Sequence, residues 1–178
     1  AGTGADFNGD ACVTLLDFSL LATNFGAAGQ TKAALAPTPK PPAPTVTLTL
    51  ERVPTLSADG GVAVAVRVQA GAQPVDGVAA YLDFDPKQWQ VAALTPGGAL
   101  PLTMQSSVDN KTGAVNLALG ALNGFPSGSF TVATLRLLPA NPQAQPGMPL
   151  SFHRDAARRS DVTFGGFSVW RDPTGARE

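Results

Sequence analysis

The segment Val62-Ala63-Val64-Ala65-Val66-Arg67-Val68-Gln69 decides the fold. Valine stands at every second position, with Ala, Ala, Arg and Gln between. Successive side chains of a strand point to opposite faces, so this spacing buries one face. The same period recurs outward along the chain. Val46, Leu48 and Leu50 alternate with Thr47, Thr49 and Glu51. Val78, Ala80, Leu82 and Phe84 alternate with Ala79, Tyr81 and Asp83, and Val115, Leu117 and Leu119 with Asn116, Ala118 and Gly120. Turn-forming clusters separate them at Ala58–Gly61, Asp85-Pro86, Asp109–Gly113 and Pro126–Gly128.

Two segments change phase. Phe130 and Val132 share one parity, Leu135 and Leu137 the other; Val162 and Phe164 share one, Phe167 and Val169 the other. A one-residue shift within a strand predicts a β-bulge in each. Short strands, regular turns and bulges predict a mainly β domain over residues 46–178, two sheets packed as a sandwich or jelly roll.

Ahead of this domain, residues 36–45 read APTPKPPAPT. Five prolines in ten residues disfavour helix and central strand. Residues 30–45 are therefore expected to be an extended, semi-rigid linker, which sets residues 1–29 apart as a small unit.

That unit opens with DFNGDACVTLLD, Asp6 to Asp17. Counted from Asp6, oxygen-bearing side chains fall at positions 1, 3, 5, 9 and 12: Asp6, Asn8, Asp10, Thr14 and Asp17. Position 7 of such a loop adds a backbone carbonyl, here that of Cys12. A hard cation gathers six to eight oxygens, and alternate residues of a curled loop deliver them. The spacing predicts a Ca2+ site. Position 6, ordinarily Gly, is Ala11, whose left-handed backbone costs on the order of 1 kcal/mol. A helix should follow, ending at Gly26, with Leu16, Leu20, Leu21 and Phe25 near one face and Phe18 beside it. A helix this short cannot stand alone, so it must pack on this chain or on another copy.

Composition excludes several classes. The 178 residues are 44% hydrophobic and 14% charged, with 12 basic against 13 acidic residues. That supports a core but supplies no clustered basic face for nucleic acid. One cysteine rules out an internal disulfide framework and a cysteine zinc cluster. No apolar run reaches the ~18–20 residues that span a membrane. Abundant Thr, Gly, Ala and Pro with few Lys and Glu fits an extracellular β-protein, and a start at Ala1 fits a processed form. Asn110-Lys111-Thr112 matches a glycosylation triplet short enough to arise by chance.

No catalytic set emerges. His153, the only histidine, sits beside Arg154 and reads as a surface residue. Asp83 and Asp85 are close in sequence, but Asp83 faces outward on its strand and Asp85 precedes Pro86 at a turn. Trp89 and Trp170 are expected at the edge of the core rather than on a sugar-stacking platform.

Two stretches resemble known modules. Asp6, Asn8, Asp10, Thr14 and Asp17, with the run Leu20-Leu21-Ala22-Thr23-Asn24-Phe25-Gly26, resemble a single dockerin repeat, where Asp at position 12 is usual. From Val46 on, the chain resembles a cohesin. Its marks are the valine strand, Val75-Asp76-Gly77 leading into Tyr81-Leu82-Asp83-Phe84-Asp85-Pro86, and Phe164-Gly165-Gly166-Phe167. A full dockerin carries two calcium repeats, and only one is present here. The resemblance implies a jelly-roll sandwich whose exposed sheet face binds a dockerin, with calcium shaping the dockerin.

The expected function is a non-enzymatic, extracellular or cell-surface assembly protein. Leu16, Leu20, Leu21 and Phe25 of one copy would meet Ala79, Tyr81, Asp83, Asn116 and Ala118 of the next, giving a head-to-tail filament. The alternatives are a monomeric scaffold module recruiting other dockerin-bearing proteins, and a carbohydrate-binding module with a polysaccharide partner.

Overall fold

The computed structural model describes residues 4–25, 43–54, 60–141, 147–155 and 158–171. Most of the expected 30–45 linker lies outside them.

The valine segment becomes β2 (Val62–Gly71), preceded by α1 (Leu15–Asn24) and β1 (Thr47–Val53). There follow β3 (Gly77–Asp83), β4 (Trp89–Pro96), β5 (Leu102–Asp109), β6 (Ala114–Gly120) and β7 (Gly128–Pro139). The short strands β8 (Ser151–Phe152), β9 (Asp161–Phe164) and β10 (Phe167–Ser168) complete the order. One sheet runs β1-β2-β7-β4; the other runs β10-β9-β3-β6-β5, with β8 also on β3. Every strand pair is antiparallel, and the chain has the two-sheet β-sandwich predicted from its alternation.

The predicted inward set is the core. Val64, Val66 and Val68 of β2 face Val78, Ala80 and Leu82 of β3 and Val115, Leu117 and Leu119 of β6, all within 1% of complete burial. Leu135 and Leu137 from β7 join them. The sandwich is closed where Thr45 and Val46 both donate to the Val169 carbonyl, at 3.1 Å each, and Arg171 donates back to Val46 at 2.7 Å.

The first phase change is a bulge, as expected. Val66 pairs with Ala133 but Arg67 with Thr131, leaving Val132 as the extra residue. The second has another cause. Phe167 pairs with Phe164, so Gly165-Gly166 is the two-residue turn of a β9–β10 hairpin rather than a bulge. Their φ values of 63° and 82° are the pair of positive angles that a type I′ turn requires. Trp89 and Trp170 are 7% and 6% exposed, which buries them in the core and leaves no flat face for stacking.

Candidate docking face and calcium loop

The larger sheet has a core side and an outer side. Parity places Gly77, Ala79, Tyr81 and Asp83 of β3 outward, beside Gly120, Ala118, Asn116 and Ala114 of β6. The expected receiving residues Ala79, Tyr81, Asp83, Asn116 and Ala118 therefore share one face.

One end of this face carries α1 of the same chain. A β-carbon added at Gly120 would lie 2.3 Å from Phe18 Cε1, one at Gly166 2.4 Å from Leu20 Cδ2, and one at Gly77 2.9 Å from Leu15 Cδ1. Only bare backbone admits the helix at this depth. Ser19 and Ala22 are almost completely buried, and Leu15 and Phe18 partly so. These four stand at i, i+3, i+4 and i+7, one helical stripe.

The apolar pattern of the sequence predicts a different stripe. Leu16 and Leu20 are half-buried, while Leu21 and Phe25 are 40% and 59% exposed. The rotation has a polar cause. The Ser19 hydroxyl donates to Asp76 Oδ2 at 2.6 Å and accepts from the Gly166 N–H at 2.7 Å. Asp76 is fully buried and also accepts from Gly165 N–H at 2.8 Å and from the Thr163 hydroxyl at 2.9 Å. A buried carboxylate is costly unless its oxygens are supplied with donors, and here three donors converge on it. Hydrophobicity alone could not find Ser19 and Asp76. The available signal was an acid between Val75 and Gly77, at the entrance to a strand whose first four residues are all buried.

The other end of the face is polar and half-exposed. His153 Nδ1 lies 2.6 Å from Asp83 Oδ2, and Arg158 Nη1 lies 3.5 Å from Asp83 Oδ1. Arg158 Nε donates to Asn116 Oδ1 at 3.0 Å, and its guanidinium lies 5.8 Å from the Tyr81 ring centre. His153 is thus not an isolated surface residue but is tied to β3 across 70 positions of sequence. Asp85 is used locally, accepting from Lys87 N–H and the Gln88 amide at 2.9 Å each.

The loop that starts α1 has the backbone its spacing implies. Ala11 takes φ 68°, the left-handed turn demanded at position six. Asp6 accepts from Gly9 and Ala11 N–H at 2.8 and 3.1 Å. Asp10 accepts from Cys12 N–H at 2.9 Å and from the Asn8 amide at 2.9 Å. Thr14 and Asp17 form a capping box: Thr14 Oγ1 accepts from Leu16 N–H at 3.2 Å, and Asp17 Oδ2 from Thr14 N–H at 2.8 Å. Asp17 Oδ1 takes the N–H groups of Phe7 and Asn8 at 2.7 and 3.2 Å, closing the loop on the helix. The Thr14 N–H bond, aided by those from Asn8 and Phe7 and opposed by desolvation, holds the Asp17 carboxyl below its usual range.

Among the described residues, no three His, Cys, Asp or Glu side chains already converge as a metal cluster. The donor set nevertheless fits a hard cation. It is all oxygen, with Cys12 able to contribute its carbonyl, and each carboxylate oxygen keeps lone pairs beyond its amide bonds. No helix among the described residues is long and apolar enough to cross a membrane.

Comparison with known proteins gives the fold an external match. No protein-family model matches the chain, and no curated protein does. Solved structures do. The sixth cohesin of scaffoldin B from Acetivibrio cellulolyticus, in complex with a Cel5 dockerin, superposes with a TM-score of 0.57 at 11% identity, covering 71% of this chain and 92% of that one. The third cohesin of ScaC from the same organism, in complex with the ScaB dockerin, gives 0.54 at 13% identity, covering 70% and 90%. The solution structure of CaCohA2 from Clostridium acetobutylicum gives 0.51 at 21%, covering 68% and 81%. The β-sandwich of this chain has the jelly-roll fold of cohesin domains.

Proposed function

We propose that the chain is a non-enzymatic, extracellular protein-interaction module that associates with copies of itself head to tail, with its N-terminal loop and helix acting as a dockerin-like repeat. The observation that carries this reading is α1 lying on the outer face of the larger sheet, keyed by Ser19 to Asp76. The chain thus contains a helix and a sheet face that fit each other. A contact between unlike surfaces of identical copies propagates into an open filament unless its rotation closes a ring.

Calcium belongs to the same proposal. Asp6, Asn8, Asp10, Thr14, Asp17 and the Cys12 carbonyl would hold the ion, which would fix the turn through Ala11 and the first turn of α1. The second reading, a module that recruits other dockerin-bearing proteins, is favoured by the matched cohesins solved with dockerins bound. Trp89 and Trp170 are buried, so neither offers a polysaccharide partner a stacking face.

Electron microscopy and light scattering of the purified protein, with calcium and with chelator, test the self-association. Filaments or oligomers favoured by calcium are expected. Monomers in both conditions overturn it, and co-purification of foreign partners by the monomer then selects the recruiting module.

A further inference from the structure

We propose that α1 is exchangeable between copies: the groove over Gly77, Gly120 and Gly166 accepts the α1 of a second copy in place of its own, and the helix-docked structure is the closed form of a chain that assembles by exchange. This rests on the self-association reading and deepens it, because it identifies the chain's own helix as the competitor that governs assembly.

Three observations lead there. First, the groove is specific for this helix. It has glycine where Leu15, Phe18 and Leu20 press closest. Its one buried carboxylate is placed for a hydroxyl at the position of Ser19. A second copy is the partner certain to present the same side chains in the same order.

Second, the groove cannot be left empty without cost. Emptying it strips Asp76 Oδ2 of the Ser19 hydroxyl, strips the Gly166 N–H of its acceptor, and wets Leu15, Phe18 and Ala22. The favoured states are those in which every groove holds a helix, its own or a neighbour's.

Third, the connection is long. Residues 26–45 join α1 to β1. Twenty residues can span at most ~66 Å, at ~3.3 Å per residue of fully stretched chain. That exceeds the ~30 Å width of a small domain.

The docked contacts are the same within a chain and between chains, so connection and concentration decide between them. A tethered helix competes at an effective concentration set by the length and stiffness of its connection, of order mM for a short flexible one and lower for one of twenty residues. Dilute protein therefore stays closed, while copies crowded together exchange and link.

Complementation between two full-length variants tests this. Gly120→Val fills the groove where Phe18 sits but leaves α1 free to be donated. Ser19→Asp sets a second carboxylate against Asp76, so that α1 cannot dock while the groove stays open. Each alone should be a monomer. Mixed in equal amounts, they should form a complex of twice the 18.1 kDa chain mass, one donor and one acceptor, which cannot grow further. The pair Gly77→Val with Phe18→Asp repeats the test at a different contact. Near-ultraviolet circular dichroism of the buried Trp89 and Trp170 selects variants with an intact sandwich.

Folded variants that remain monomers in both mixtures overturn helix exchange. If the unaltered protein still assembles with calcium in that case, self-association stands and uses another surface. If the variants pair while the unaltered protein stays monomeric at every concentration, exchange stands and the filament reading falls.

Discussion

Ser19 and Asp76, 57 residues apart, share a 2.6 Å hydrogen bond inside the contact between the N-terminal helix and the sandwich. This bond selects which side of the helix faces inward, because the hydroxyl must reach a carboxylate that is fully buried. Ser19→Ala keeps the shape and removes a donor. Asp76 retains Gly165 N–H and the Thr163 hydroxyl, while the Gly166 N–H loses its acceptor. The expected loss is about 1–3 kcal/mol of helix docking, the usual cost of an unsatisfied buried group. Amide exchange along α1 should rise accordingly. In a double-mutant cycle, Ser19→Ala with Asp76→Asn should cost less than the sum of the two single changes.

Ala11 holds φ 68° without the glycine that such a turn favours. Ala11→Gly should relieve on the order of 1 kcal/mol of strain, partly offset by the greater freedom of the unfolded chain. The helix onset should become more stable and calcium binding tighter, by up to about fivefold. Ala11→Val should do the opposite, since a branched side chain tolerates this geometry least. Titration calorimetry of the three proteins gives the order directly.

What could be read from the sequence was what one strand reveals by itself. The inward sets of β2, β3 and β6, and the bulge at Val132, follow from local parity. Two strands left no such trace. In β5, Leu102–Asp109, nearly every residue is exposed, because it is an edge strand paired only with β6. In β4, alternation begins at Trp89 and Val91 and is then broken by a bulge. The docking end of the face was hidden for another reason. Its participants are glycines, a serine and an acid, and what they do depends on partners tens of residues away. The oxygen spacing of the loop predicts a cation site, but it gave no sign that Thr14 and Asp17 form a capping box, which orders the helix start by itself.

Asn110 acts as a surrogate strand residue for β4. Its carboxamide accepts from Val91 N–H at 2.9 Å and donates to the Val91 carbonyl at 3.1 Å, covering the sheet edge next to the β4 bulge. Asn110→Ala should cost about 1–2 kcal/mol in urea unfolding, for two hydrogen bonds of ordinary strength. Exchange at the Val91 amide should quicken. The same nitrogen is the one a glycan would occupy at this triplet, so glycosylation there should loosen the β4 edge as well.

Two turn carboxylates, Asp109 and Asp85, should add to the loss of stability in acid. Asp109 is held below the usual 3.8 first by the Thr112 hydroxyl and then by the N–H groups of Lys111 and Thr112. Asp85 is lowered first by Lys87 N–H and then by the Gln88 amide. For a depressed carboxyl the unfolded chain binds protons first as pH falls. Its stabilisation is therefore whole above the ordinary value of 3.8 and is lost as pH drops through the lower folded value. Carboxyl carbon titrations should show both midpoints below 3.8. Asp109→Asn should flatten the fall in melting temperature on acidification.

The calcium proposal and the docking proposal meet at Asp10. This side chain receives Cys12 N–H and the Asn8 amide and touches nothing in the sandwich through any hydrogen bond described. Asp10→Ala should thus leave the β-domain unfolding unchanged. It removes one of three loop carboxylates, so calcium affinity should fall at least tenfold, about 1.4 kcal/mol. If the ion fixes the turn that presents α1, the same variant should dock its helix less firmly, and assembly should fall once undocked helices are populated. Calorimetry reads the first effect, amide exchange in Leu15–Asn24 the second and light scattering the third. Assembly at full strength after calcium binding is lost would show that the capping box of Thr14 and Asp17 orders the helix alone and that the ion has no part in docking.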